Sequence, residues 1–168
     1  MTDLYLSLGS NQGNRKELLQ KAVQELETRI GRVCALSEFY ETAPWGFVSD
    51  HPFLNAAVHL KTAKTPAEIL AITQEIEKQL GRKTKSHGGA YQDRPIDIDL
   101  LFYGNCCIDQ VIELPDGSRQ QLTLPHKLLH ERDFVLKPLV EIAPDLHHPL
   151  LTYTVRELWQ QLNEREGR

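Results

Sequence analysis

Ile96-Asp97-Ile98-Asp99-Leu100-Leu101-Phe102-Tyr103, led in by Arg94-Pro95 and ended by Gly104, is the stretch on which the fold turns. Read with a period of two it is a strand: Ile96, Ile98, Leu100 and Phe102 are expected on the core face, and Asp97 and Asp99 project together from the other. Upstream, Asp3 to Leu8 is a first strand, because Leu4, Leu6 and Leu8 alternate with Tyr5 and Ser7 and the run ends at Gly9. From Arg15 the period becomes helical. Leu18, Leu19, Ala22, Val23, Leu26 and Ile30 share a face, Asn14 with Glu17 resembles a capping box, and Gly31 closes the helix. Arg32 to Thr42 is the next strand, with imperfect alternation. After the Pro- and Gly-punctuated stretch 43–52, Phe53 to Lys61 alternates cleanly, with Leu54, Ala56, Val58 and Leu60 on one face and Phe53, Asn55, Ala57 and His59 on the other. Thr65-Pro66 opens a second helix that Gly81 stops. With Ile96 to Tyr103 as the last element, the order is that of an α+β protein with a ferredoxin-like βαββαβ core, its helices packed on one face of an antiparallel sheet. A hairpin over Val111 to Leu124 and short helices over 134–142 and 154–162 follow.

The 168 residues suit one domain, expected over 1–168, and 40% hydrophobic with 25% charged residues is the composition of a globular chain. A formal net charge of -4 gives no global attraction to nucleic acid or to an anionic membrane. The N-terminus lacks a basic segment and its apolar run breaks at Gly9, so no signal peptide is read there, and no apolar run approaches spanning length. Cys34, Cys106 and Cys107 fit neither a disulfide framework nor a zinc spacing and are expected as small buried hydrophobes in a cytoplasmic protein.

The chemistry concentrates beside the two aspartates. Residues two apart on a strand place their backbone anchors roughly 6 to 7 Å apart, close enough for both carboxylates to grip one cation or bridge a close pair. Hard oxygen ligands favour magnesium over zinc. An isolated D-x-D is more often a solvated face. Here it follows Arg82 to Arg94, which carries four fixed cations, one acid and a Gly pair. Cations abutting an acidic metal site are what polyphosphate transfer needs. Gly9 to Asn14 lacks the spacing of a P-loop or a Rossmann turn and reads as a tight turn plus helix cap.

In order along the chain, several pieces form a set: Leu8-Gly9-Ser10-Asn11, Phe39-Tyr40-Glu41-Thr42-Ala43-Pro44-Trp45-Gly46, Phe53-Leu54-Asn55-Ala56-Ala57, Ile76-Glu77 with Gly81-Arg82, Arg94 to Asp99, and Leu124-Pro125-His126 leading to Arg132 and Phe134. This set resembles the 6-hydroxymethyl-7,8-dihydropterin pyrophosphokinases, folate-pathway enzymes that move a pyrophosphoryl group from ATP to a pterin alcohol. The resemblance implies that Asp97 and Asp99 bind two magnesium ions and that Arg82 and Arg94 close on the phosphates as catalytic residues. It implies a nucleotide site of Gln74, Glu77, Arg82, Arg94, Ile98, His126 and Arg132. It implies a pterin pocket of Thr42, Pro44, Trp45, Phe53, Asn55, Asp97 and Phe134, with two aromatics sandwiching the ring and Asn55 reading its polar edge. ATP and the pterin are the implied partners of a monomer, with no nucleic acid and no membrane. Tyr91, Pro95 and Lys127 depart from the usual pattern of that family.

Two rivals remain open on the residues alone. A metal-dependent phosphohydrolase or nuclease could use the same aspartates, although the negative net charge offers no polymer groove. An RNA-binding ferredoxin-like domain would need an aromatic signature that this chain lacks.

Overall fold

Leu4, Leu6 and Leu8 are fully buried, and their alternation with Tyr5 and Ser7 builds the central strand β1 (Thr2–Ser10). The computed structural model describes residues 1–42, 52–81 and 95–167. Its further elements are α1 (Arg15–Arg29), β2 (Gly31–Leu36), β3 (Tyr40–Thr42), β4 (Phe53–Thr62), α2 (Pro66–Gln79), β5 (Asp97–Tyr103), β6 (Ile108–Glu113), β7 (Arg119–Leu124), a 3-10 turn at Leu129–Glu131, α3 (Asp133–Ile142) and α4 (Val155–Arg165). The main sheet has the order β2-β4-β1-β5, with β3 also on β4, and its pairings are antiparallel. The α+β class and the βαββαβ order read from the sequence are those of the structure.

Local chemistry explains the boundaries. Asn14 accepts a hydrogen bond from the Glu17 amide at the start of α1, and Thr65 and Glu68 form a reciprocal capping box on α2, with Pro66 in its first turn. Gly81, at φ +108°, takes the chain out of α2 in a conformation that L side chains rarely adopt. The expected strand over 32–42 is two strands. A register shift between Val33 and Ala35 and a break at Ser37 divide it, and Ser37 bridges the break by hydrogen bonds in both directions with the Ala57 backbone. Gly31 begins β2 rather than closing α1. A Cβ there would stand 2.0 Å from the Lys61 carbonyl oxygen, so close approach of two strands is its reason.

One face of the sheet carries Leu4, Leu6, Leu8, Val58, Leu60, Ile98 and Leu100, covered by α1 and α2 through Leu19, Leu26, Ile69 and Ile76. Each such buried side chain contributes about 1.5 to 3 kcal/mol relative to exposure. The opposite face is covered as well, which corrects the expectation of helices on one face. Ala57 and Phe102 form a second core with Val135, Leu136 and Leu139 of α3 and Leu158 and Leu162 of α4. Phe102 thereby leaves the face assigned to it. The pairing of β1 with β5 slips between Tyr5 and Leu6, so Leu101 is an extra residue and inverts the parity beyond it. Phe102 then lies edge-on to Tyr5, with ring centroids 6.2 Å apart. β6 and β7 form a separate ribbon whose Leu122 and Leu124 join the first core.

The three cysteines are free and exposed, not buried as expected: Cys34 lies on the edge strand β2 and Cys106 and Cys107 in the turn after β5. No helix among the described residues is long and apolar enough to cross a membrane.

Candidate active site

Strand register assembles the candidate residues. Asn55 pairs with Tyr40 on one side and with Gly9 on the other, and Gly9 pairs with Asp97. In the next rows Thr42 pairs with Phe53, and Ala57 with Ser7, which pairs with Asp99. Paired residues project from the same side of a sheet, so Phe53, Asn55, Asp97 and Asp99 share one face, and Ile98, only 2% exposed, turns to the other. Asp97 and Asp99 are half-buried, as the alternation of β5 dictates.

Around this face each part is held by specific contacts. The Asn55 Nδ2 donates to Thr42 Oγ1 at 2.6 Å, tying β4 to β3. Glu141 of α3 accepts from the Glu38 backbone and from the Tyr40 hydroxyl, and that carboxylate raises the Tyr40 phenol above its ordinary pKa. At the neighbouring edge Glu77 of α2, 2% exposed, accepts from the Ile98 amide through Oε2 at 2.8 Å, between the two aspartates in sequence. Gln74 of α2 and Gln120 of β7 exchange two amide hydrogen bonds of 2.7 and 3.0 Å. A cavity of about 230 Å³ opens there, with Leu70, Ile98, Leu100 and Leu122 as apolar lining and Asp99 and His126 as polar lining. His126 accepts from the Leu128 amide at Nδ1, which makes Nε2 its donor nitrogen. Arg132, 5% exposed, holds its guanidinium carbon 5.7 Å from the centre of the Phe134 ring, at the N-terminus of α3.

Thus the structure brings Thr42, Phe53, Asn55, Asp97 and Asp99 into adjacent rows of one sheet face, and Gln74, Glu77, Ile98 and His126 to the β5 edge. Pro44, Trp45, Arg82, Arg94 and Tyr91 lie outside the described residues. Two residues escaped the sequence reading. Gly9 lies inside β1, between Asn55 and Asp97, rather than in a turn, and Gln120 is the partner of Gln74. The odd-numbered parity of Tyr5, Ser7 and Gly9, opposite to the core leucines, carried the signal for Gly9.

The donor set fits a hard divalent cation. Among the described residues no three His, Cys, Asp or Glu side chains gather into a cage. Two adjacent carboxylates suit magnesium, a hard cation that keeps water and phosphate oxygens among its ligands.

A ferredoxin-like sheet that sets an aspartate pair on the same face as an amide and an aromatic side chain has the carboxylate arrangement found in phosphoryl-transfer proteins, where a cation bridges to phosphate oxygens. The model of the 7,8-dihydro-6-hydroxymethylpterin-pyrophosphokinase family matches residues 5–144, a span that includes every candidate residue, and the chain belongs to this family. A 2-amino-4-hydroxy-6-hydroxymethyldihydropteridine pyrophosphokinase of Porphyromonas gingivalis is 52% identical over 147 residues, covering 88% of this chain and 95% of that protein. The protein of the same description from Aquifex aeolicus is 37% identical over 157 residues, covering 94% and 90%. Among solved structures, an HPPK-DHPS in complex with substrates superposes with a TM-score of 0.80 at 17% identity, over 98% of this chain and 44% of that one. That likeness concerns the fold.

Proposed function

We propose that this chain transfers the pyrophosphoryl group of ATP to the hydroxymethyl group of 6-hydroxymethyl-7,8-dihydropterin, giving the pterin diphosphate and AMP, a step of folate biosynthesis. Family membership supports the reaction. The observation that carries the residue assignment is the register row that sets Asn55, which can read a polar ring edge, two strands from Asp97.

In this reading Asp97 and Asp99 would hold two magnesium ions, and Asp97 also faces the pterin. Bound there, magnesium neutralises phosphate charge along the triphosphate. The chain's own residues position the reactants. Phe53 and Phe134, with Pro44 and Trp45 from outside the described residues, enclose the ring, and Thr42 and Asn55 meet its polar edge. Gln74, Glu77, Ile98 and His126 border the nucleotide. Arg132 adds a fixed cation, joined by Arg82 and Arg94. The pterin hydroxyl oxygen attacks the β-phosphorus, an O–P bond forms, the bond to the oxygen bridging to the α-phosphate breaks as AMP leaves, and the hydroxyl proton is released to solvent. Orientation and charge neutralisation dominate such a step, because it needs little covalent help from protein. The same reading takes residues 1–168 as a single domain that works as a monomer in the cytoplasm.

The test is product analysis by ³¹P NMR and chromatography with ATP, magnesium and the reduced pterin. AMP forms in step with the pterin diphosphate and only when the pterin is present. Inorganic phosphate released from ATP at the same rate without pterin would instead establish a phosphohydrolase.

A further inference from the structure

Gly9 is the one residue of the Asn55–Gly9–Asp97 row without a side chain. In an antiparallel sheet a central residue faces one neighbour as a hydrogen-bonded pair and the other as a non-bonded pair, so the three Cα atoms span roughly 10 Å. A fused two-ring heterocycle with a one-carbon alcohol arm is of that length. Laid along the row, it places its polar edge at Asn55 and its alcohol at Asp97, with Gly9 beneath.

The backbone does not explain the glycine. Gly9 is not among the glycines with positive φ, so any L residue could adopt its conformation. Space does explain it. A Cβ built at Gly9 would lie 3.1 Å from Asn55 Oδ1 and 3.5 Å from Phe53 Cδ1. The Asn55 carbonyl oxygen therefore leans over the bare backbone of β1, while the other end of the same amide is pinned by its bond to Thr42 Oγ1. Asn55 is 3% exposed, which leaves little freedom to retreat.

We propose that Gly9 is a positioning residue for the pterin: carrying no Cβ, it lets the Asn55 amide lie across β1 with Oδ1 turned to the middle of the row, where an N–H-bearing edge of the heterocycle meets it. This rests on the pterin reading given above. Gly9 acts through the Asn55 side chain, while its link to Asp97 is the backbone pairing of β1 with β5. A methyl group at position 9 pushes the oxygen off its line by a few tenths of an ångström and weakens one hydrogen bond to the ring.

The experiment is a double-mutant cycle on pterin affinity, measured by titration calorimetry with a non-hydrolysable ATP analogue and magnesium present. Gly9→Ala weakens pterin binding about tenfold, the scale of one hydrogen bond, and changes affinity for the ATP analogue by less than about twofold. In the Asn55→Ala background the same substitution costs at least about threefold less pterin affinity than in the wild type, because the atom it displaces is gone and only contact with the overlying ring remains. Equal losses in both backgrounds, or loss of nucleotide affinity matching the loss of pterin affinity, would overturn the proposal. If Gly9→Ala proves too unstable to titrate, the melting temperature is read instead: the double variant recovers the loss, and a double variant as unstable as the single one refutes the mechanism. Wild-type protein that does not bind the pterin would sink the pterin reading itself, an outcome distinct from wild-type binding with an indifferent Gly9→Ala.

Discussion

Glu77→Ala should loosen the strand that carries the aspartates. Glu77 is 2% exposed and its Oε2 accepts from the Ile98 amide at 2.8 Å, fastening α2 to β5. Truncation leaves the buried Ile98 N–H without that acceptor, a penalty of about 1 to 3 kcal/mol. For a chain of this size each kcal/mol lowers Tm by roughly 2 to 4 °C, so a loss of ~2 kcal/mol corresponds to about 4 to 8 °C. Glu77→Gln keeps an oxygen on the same stem and should lose about half as much or less. Calorimetric melting gives the stability, and amide hydrogen exchange gives the location: Ile98 should exchange faster in the Ala variant and near the wild-type rate in the Gln variant. A Gln variant as damaged as the Ala variant, or unchanged Ile98 exchange in both, would refute the claim that this contact holds β5.

Gly31→Ala should destabilise the fold by about 3 kcal/mol or more, since its Cβ would meet the Lys61 carbonyl oxygen at 2.0 Å and backbone must move to relieve it; urea denaturation reads this, and a near-wild-type midpoint would contradict it. His148 supplies a pH effect. Burial holds its imidazole below the ordinary value of 6.5, with His130 acting in the same direction, and its Nδ1 accepts from the Leu150 and Leu151 amides. Because the folded pKa lies below the unfolded one, this stabilisation is present above about pH 6.5 and is lost as pH falls through the folded value. His148→Asn retains an acceptor without titrating, so its Tm should decline less between about pH 7 and pH 5 than that of the wild type.

Much of this could be read from residues because strand parity is a local property. Leu54, Ala56, Val58 and Leu60 against Phe53, Asn55, Ala57 and His59 declared the two faces of β4, and Ile98 between Asp97 and Asp99 did the same for the start of β5. What escaped depends on partners. The bulge at Leu101 exists only in the register with β1, so alternation within β5 alone does not place Phe102. The second core needs α3 and α4 to fold back over Ala57 and Phe102, and no periodicity within α3 or α4 says which side of a sheet it will cover. A glycine after alternating leucines usually marks a strand end, whereas Gly9 continues β1 beside Asn55, which lies 46 positions away. Gln120 shows no periodic signal that would pair it with Gln74 across the β5 edge.

Cation binding to Asp97 and Asp99 tests the account most directly. Mn²⁺ serves as the probe, followed by electron paramagnetic resonance in the presence of a non-hydrolysable ATP analogue, for the wild type and for Asp97→Asn and Asp99→Asn. The account predicts two ions per wild-type chain and at least tenfold weaker binding in each variant, the Asn side chain keeping the size of the Asp it replaces while removing the charge that holds the cation. Undiminished Mn²⁺ affinity in both variants would contradict it.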